Sequence, residues 1–117
     1  MSSEQTETSG VAGRYATALF ELAVDRGVID EVANDLRQLQ VMINKSADLR
    51  RLIQSPLFSR AQQSDAMAAV LTSAGLSELV RNFIGVVAGN RRLFALEGMI
   101  GAYRGLVAQH RGEVTAE

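Results

Sequence analysis

The sequence VAGRYATALFELA, residues Val11–Ala23, combines small and apolar side chains with a few polar ones at helical spacing. Successive residues of an α-helix are about 100° apart, so side chains three and four positions apart share a face. One such face carries Ala12, Ala16, Leu19, Phe20 and Ala23. The polar side chains are confined to the remaining arc. This segment therefore predicts a packed amphipathic helix and, with the segments that follow, an all-α fold.

The same periodicity recurs along the chain and predicts five further helices. Gly27 suits a left-handed cap at the end of the first helix, and Asp30 can cap the start of the second. The third helix must end before Pro56, because the residue that precedes a proline is disfavoured in the helical region. Ser59 and Gln62 have the spacing of a capping box. The six predicted helices cover about residues 11–26, 30–43, 47–54, 59–75, 77–90 and 93–111.

The two ends of the chain lack this periodicity. Residues 1–10 (MSSEQTETSG) are polar and are predicted to form a flexible leader. Residues 113–117 (EVTAE) show no helical stripe, and Val114 and Thr115 suit a β-strand. Because a lone strand is not stable, we expect this tail to be the start of a C-terminal domain that the chain lacks. The helical domain is then expected to span residues 11–112.

The composition argues against catalysis and metal binding. The 117 residues include no cysteine and one histidine, and 12 basic residues balance 13 acidic ones. Disulfides, thiolate zinc sites and cysteine nucleophiles are thereby excluded, and no overall positive charge attracts nucleic acid. His110 has no second metal-binding residue type clustered near it. The sequence predicts no catalytic, cofactor or metal site, and no apolar stretch is long enough to span a membrane.

Two helices carry more apolar surface than a core requires. A helix at the surface of a bundle needs an apolar arc of about 100° or slightly more. On the first helix, an extra strip beside the core face consists of Tyr15, Ala18 and Leu22. On the fifth helix, the extra strip consists of Leu79, Phe83 and Val86. A groove for an amphipathic helix of a partner would account for both strips.

Gly85 and Gly89 lie four residues apart on the fifth helix. Each glycine inside a helix costs about 1 kcal/mol relative to alanine, and close approach of another backbone would account for both. The alternative is that the first and fifth helices are central and buried on more sides, with the glycines packed inside the domain. The periodicity does not decide between these interpretations.

Three segments of the chain together resemble a known family. They are Val11–Ala23, the stretch Ala88–Leu96 (AGNRRLFAL), in which an asparagine precedes arginine and leucine, and the terminal EVTAE. They resemble the first-helix signature of the delta subunit of bacterial ATP synthase, its junction between the fifth and sixth helices, and the point where it leaves its helical domain for a strand. The mitochondrial counterpart is the oligomycin sensitivity-conferring protein. The resemblance covers about residues 11–117.

The resemblance implies a six-helix bundle and a non-catalytic role in the peripheral stalk, or stator. The family's helical domain holds the N-terminal helix of an alpha subunit against its first and fifth helices, and a smaller C-terminal domain joins the stalk b subunits. The implied location is the cytoplasmic face of the bacterial inner membrane, reached through the complex and without membrane insertion. Carried over to this sequence, the groove and its polar rim fall on Arg14, Tyr15, Ala18, Leu22, Phe83, Val86, Asn90 and Arg91.

Two other functional classes are open from the residues alone. A helical adaptor of another assembly is one, although adaptors such as death-domain-like bundles usually pair through charged surfaces. A helical nucleic-acid binder that uses the turn between the third and fourth helices is the other. That function needs a basic recognition helix, and the fourth helix carries only Arg60 at its start.

Overall fold

The computed structural model describes the backbone of residues 3–115 and the side chains of residues 10–112. Its helices are α1 (Ser3–Arg26), α2 (Ile29–Lys45), α3 (Ala47–Gln54), α4 (Arg60–Ser73), α5 (Glu78–Gly89) and α6 (Leu96–Thr115). A single turn of 3-10 helix, Leu93–Ala95, leads into α6. Since residues 3–115 form no strand, the predicted all-α fold of six helices is confirmed.

The helix boundaries agree with prediction where the sequence has a strong local signal. Gly27 and Gly75 adopt positive φ angles of 67° and 75°, which glycine tolerates best, after the ends of α1 and α4. The Ser59 hydroxyl accepts from the backbone N–H of Gln62, and the Gln62 side chain accepts from the Ser59 N–H. This reciprocal pair is the predicted capping box at the start of α4. Ser77 caps α5 in the predicted way.

Both ends of the helical domain differ from prediction. α1 begins at Ser3 rather than at residue 11. Residues 3–10 are mostly polar but contain no proline, and Gly10 alone does not stop a helix. Residues 113–115 continue α6 and do not form the predicted strand. A helix satisfies its backbone hydrogen bonds internally, whereas a strand needs a neighbour to pair with. Ala116 and Glu117 lie outside the described residues, and the division into leader, helical domain and a further domain stays a prediction.

The predicted cap of α2 is wrong by two residues. Val28 occupies the N-cap position without a side-chain hydrogen bond, and Ile29 is the first residue of the helix. Asp30 lies instead in the first turn, where its carboxylate pairs with the guanidinium of Arg111 near the end of α6. A carboxylate in a first turn also interacts favourably with the helix dipole, so this position has a physical reason of its own.

The core explains why a groove remains beside α1. α1 packs along α6, whereas α5 packs mainly against α4. At Gly98 of α6 an added Cβ would lie 3.1 Å from the Cβ of Ala12, so glycine permits the close approach of these two helices. The predicted core faces are buried at Ala12, Ala16, Leu19 and Ala23 of α1 and at Val80, Ile84, Val87 and Ala88 of α5. Because α1 and α5 each pack mainly against another helix, their facing strips are only partly covered by the rest of the chain.

Candidate partner-binding groove

A groove of about 470 Å³ lies between α1 and α5. Its lining is mostly apolar, and both helices contribute the strips that the sequence singled out. The lining residues are Arg14, Tyr15, Ala18, Leu19, Leu22, Arg26, Leu79, Asn82, Phe83 and Val86. The alternative interpretation, in which the extra apolar strips are buried inside the domain, is therefore wrong for the most exposed of these positions.

Two aromatic side chains connect the walls of this α1/α5 groove. The rings of Tyr15 and Phe83 meet edge to face, with centroids 6.4 Å apart and planes inclined by 68°. The Tyr15 hydroxyl accepts a hydrogen bond of 3.0 Å from the side-chain amide of Asn90, just beyond the end of α5. These contacts hold α1 and α5 at a defined spacing, since each joins a residue of one helix to a residue on or beside the other. The walls are thus ordered in the chain by itself.

The most exposed apolar groups of the groove come from both helices. Leu22 on α1 is 43% exposed, and Val86 on α5 is 57% exposed. Ala18 is also exposed and is small, so it leaves room above the α1 wall. Removing apolar surface of this kind from water stabilises a complex by about 25 cal/mol for each Å². The groove therefore offers binding energy that the folded chain does not itself use.

The rim of the groove is polar and carries positive charge. Arg14 and Arg26 extend from α1, and Asn82 extends from α5. Neither arginine has a hydrogen-bond or ion-pair partner among the residues whose side chains are described. Guanidinium groups bind carboxylates and carbonyl oxygens with defined geometry. The rim is therefore suited to set the register of a peptide lying on the apolar floor.

A sequence profile of the ATP synthase delta (OSCP) subunit matches residues 11–117. The chain belongs to this family. It is 60% identical over 109 residues to the ATP synthase subunit delta of Parvibaculum lavamentivorans, an alignment that covers 93% of this chain and 56% of that protein. It is 54% identical over 116 residues to the subunit of the same name from Rhodospirillum rubrum, covering 99% of this chain and 62% of that protein.

The fold of this chain is also similar to that of a chain in solved structures of an F-ATP synthase. A chain in a cryo-EM structure of the Polytomella F-ATP synthase, refined on the F1 head and rotor, aligns with a TM-score of 0.79 and 25% identity. The alignment covers 86% of this chain and 88% of that chain. The present chain spans about three-fifths of the length of its curated delta-subunit relatives. The correspondence therefore covers part of each of these relatives.

The structure brings together most of the site residues predicted from this delta-family sequence. Those that line the groove are Arg14, Tyr15, Ala18, Leu22, Phe83 and Val86. Asn90 stands beside the groove through its hydrogen bond to Tyr15. Four further lining residues, Leu19, Arg26, Leu79 and Asn82, were not among the predicted site residues, although Leu79 belongs to the apolar strip predicted on the fifth helix. Helical spacing could have found two of them, since Arg26 follows Leu22 by four positions and Asn82 precedes Val86 by four.

Arg91 does not line the groove. Its backbone is left-handed, with φ of 59°, and its guanidinium donates 2.9 Å hydrogen bonds to the carbonyl oxygen of Phe58 and to Oε1 of Gln63. Gln63 is buried and donates in turn to the carbonyl oxygen of Leu52. The predicted rim position of Arg91 is therefore wrong. The left-handed turn directs this side chain into the junction of α3 and α4, where it holds the loop around residue 58.

The glycines of α5 are not explained by packing inside the domain. A Cβ added at Gly85 or at Gly89 would meet no described atom within 4 Å, and neither residue lines the groove. Of the two explanations for these glycines, packing inside the domain is therefore excluded for the described residues, whereas close approach of a partner's backbone stays a prediction. The only glycine of α6 or α5 with such a close contact among the described residues is Gly98.

The described residues contain no cluster of three or more potential metal ligands. None of the described helices is long and apolar enough to cross a membrane. Burial raises the pKa of Tyr103 to about 12, with a smaller contribution from the negative charge of Asp30. The hydroxyl of Tyr103 donates to the carbonyl oxygen of Ile29, which gives this buried tyrosine a structural role between α6 and α2.

Proposed function

We propose that this delta-family chain is a non-catalytic connector of an ATP synthase, which holds the N-terminal helix of an alpha subunit in the α1/α5 groove. The observation that carries the proposal is the exposed apolar surface between α1 and α5, of which Leu22 and Val86 are the most exposed large side chains. Family membership supplies the assembly, and the groove supplies a surface of the right shape. An amphipathic helix that lies in a preformed apolar groove is a common mode of peptide recognition.

The binding energy comes chiefly from apolar burial. An interface of standard size buries about 1,200–2,000 Å² in total, and a helix that covers the groove falls near the lower end of that range. Leu22 and Val86 act as anchors, because anchors at the centre of an interface usually dominate its energy. Tyr15, Phe83 and Asn90 hold the walls in place before the helix arrives, which lowers the ordering cost of binding.

The polar rim sets the register of the bound helix. Arg14 and Arg26 on one side and Asn82 on the other offer donors to the ends and the outer face of the partner helix. Exposed charge pairs contribute little affinity, so their role is orientation. Because rotation within the complex loads this contact mechanically, slow dissociation matters more than fast association.

The remaining part of the function belongs to the longer proteins of the family. We propose that a further domain, in the two-fifths of the relatives' length that this chain does not span, joins the peripheral-stalk b subunits. The complete subunit then links the catalytic head to the stalk at the cytoplasmic face of the bacterial inner membrane.

A titration with a synthetic peptide tests the groove. The peptide has the sequence of the N-terminal segment of the alpha subunit from the same source, and binding to the chain is measured by calorimetry. Val86→Asp places a charge on the apolar floor and is expected to weaken binding at least tenfold. Val24→Asp is the matched control, because Val24 lies on α1 outside the groove lining and is 42% exposed.

The control is expected to bind as the parent chain does, and circular dichroism checks that both variants are folded. Absence of binding by the parent chain, or equal binding by Val86→Asp and the parent, would overturn the assignment. Equal loss in both variants would show an effect of added negative charge instead of an effect of the groove.

A further inference from the structure

A second groove lies between α2 and α6, and it shares no lining residue with the first. Its volume is about 580 Å³. α2 contributes Asp30, Ala33, Asn34, Leu36 and Arg37, and α6 contributes Ile100, Tyr103, Arg104, Val107, Ala108 and Arg111. The proposed binding of an alpha-subunit helix makes no use of this α2/α6 groove.

The floor of the α2/α6 groove is apolar. Leu36, Ile100, Tyr103 and Val107 form it and are buried. The Tyr103 hydroxyl is already bonded to the Ile29 carbonyl, so it presents its ring and not a free donor. Ala33 and Ala108 stand beside the floor and are small, which leaves the groove open above it.

The walls of the α2/α6 groove are cationic. Arg37 extends from α2 and Arg104 from α6, and both are exposed. Among the residues whose side chains are described, neither has a hydrogen bond or an ion pair. The one acidic residue of the lining, Asp30, is engaged by Arg111 at one end of the groove. Away from that pair, the lining therefore carries two positive charges that none of its carboxylates neutralises.

We propose that the α2/α6 groove is a second docking site, which binds an acidic amphipathic segment of a partner protein. The apolar side of that segment covers the floor, and carboxylates on its flanks pair with Arg37 and Arg104. Two arginines that flank one groove favour carboxylates, because a planar guanidinium donates two parallel hydrogen bonds to the two oxygens of a carboxylate. The surrounding apolar surface lowers the local dielectric and strengthens these pairs relative to fully exposed ones.

A polypeptide fits this groove better than a nucleic acid does. A nucleic acid would require a row of phosphate contacts, whereas the lining away from the Asp30–Arg111 pair offers two arginines in a chain of net charge −1. The buried apolar floor would also stay unused by a phosphate backbone. An acidic helix or extended segment uses both features, the floor through its apolar residues and the walls through its carboxylates.

The test uses two designed 18-residue amphipathic helical peptides with the same leucine face. One has glutamate at the positions that flank this face, and the other has glutamine there. Binding to the 117-residue chain is followed by fluorescence anisotropy in 50 mM salt. We expect the glutamate peptide to bind at least tenfold more tightly than the glutamine peptide, and Arg37→Glu/Arg104→Glu to abolish this preference.

Two controls keep the result specific to the α2/α6 groove. The measurements are made in the Val86→Asp background, which blocks the α1/α5 groove to an amphipathic peptide, so failure of one groove is distinguishable from failure of the other. Arg60→Glu/Arg92→Glu is a double charge reversal at exposed arginines outside both linings, and it is expected to keep the preference. Equal binding of the two peptides, no binding of either, or a preference that survives Arg37→Glu/Arg104→Glu would each overturn the proposal.

Discussion

The α1/α5 groove and the α2/α6 groove are both clefts between two helices, yet their chemistry differs. The lining of the first is mostly apolar and includes the exposed side chains of Leu22 and Val86. The second has a buried apolar floor and arginines on both walls. The first groove is therefore suited to gain affinity from the removal of apolar surface from water, and the second from charge pairing. Similar helix packing can produce surfaces with different selectivity.

If the exposed residues of a groove serve binding, the chain should fold without them. Two residues of α5 test this most clearly. Ile84 is fully buried on one side of this helix, and Val86 is exposed on the other. Ile84→Ala is expected to lower the free energy of unfolding by about 2–4 kcal/mol, because it leaves a cavity in the core. Val86→Ala is expected to change it by less than about 0.5 kcal/mol. Urea denaturation followed by circular dichroism measures both, and a similar loss in the two variants would show that the groove side also supports the fold.

The salt dependence of peptide binding is expected to differ between the two grooves. Raising sodium chloride from 50 to 300 mM screens exposed charge pairs but leaves apolar burial almost unchanged. Binding of the alpha-subunit peptide to the α1/α5 groove is expected to weaken by no more than about threefold. Binding of the glutamate peptide to the α2/α6 groove is expected to weaken by about tenfold or more. Calorimetry at the two salt concentrations gives both ratios, and equal ratios would remove the distinction.

Arg91 provides a smaller test, because it belongs to neither groove. Arg91→Ala removes its hydrogen bonds to the Phe58 carbonyl and to buried Gln63. The free energy of unfolding is expected to fall by about 1–2 kcal/mol, the usual effect of losing charged hydrogen bonds. Affinity for the alpha-subunit peptide is expected to stay within about twofold of the parent value. A large loss of affinity in a folded variant would show that Arg91 contributes to binding at the rim of the α1/α5 groove.

The pH dependence of the free energy of unfolding tests whether Tyr103 is buried in the floor of the α2/α6 groove. Its pKa in the folded chain is about 12, above the usual 10, because burial disfavours the charged phenolate. The stability linked to the neutral hydroxyl is therefore complete below pH 10 and is lost as the pH rises through 12. Tyr103→Phe lacks this ionisation, so the difference in unfolding free energy between parent and variant is expected to shrink from pH 9 to pH 11.5. If the unfolding free energies of parent and variant, measured by urea denaturation, change with pH in parallel, the hydroxyl is not buried.

The sequence predicted those features of the fold and the α1/α5 groove that have local causes. Gly27, Pro56 and the Ser59 capping box mark boundaries through the backbone preferences of a few neighbouring residues. Tyr15, Leu22, Phe83 and Val86 follow from helical spacing and from the family resemblance. The ends at Ser3 and Thr115 were missed because polar or β-branched residues alone do not stop a helix when no partner competes for the backbone.

The features that the sequence did not predict depend on contacts between distant residues. The direction of Arg91 follows from a left-handed backbone and from an acceptor on Gln63, and neither is visible in the local pattern. Arg37 and Arg104 are far apart in the chain, and each resembles an ordinary exposed arginine. Only the packing of α2 beside α6 places them on opposite walls of one groove. Tertiary structure is therefore required to recognise the second surface.

NMR of the ¹⁵N-labelled chain locates the binding site of the alpha-subunit helix residue by residue. The alpha-subunit peptide is added, and the changes in amide chemical shift are mapped on the helices. The largest changes are expected on α1 around Ala18 and Leu22 and on α5 around Phe83 and Val86, with the amides around Arg37 and Arg104 unaffected. Largest changes along α2 and α6, or no changes at saturating peptide, would show that the helix does not bind in the α1/α5 groove.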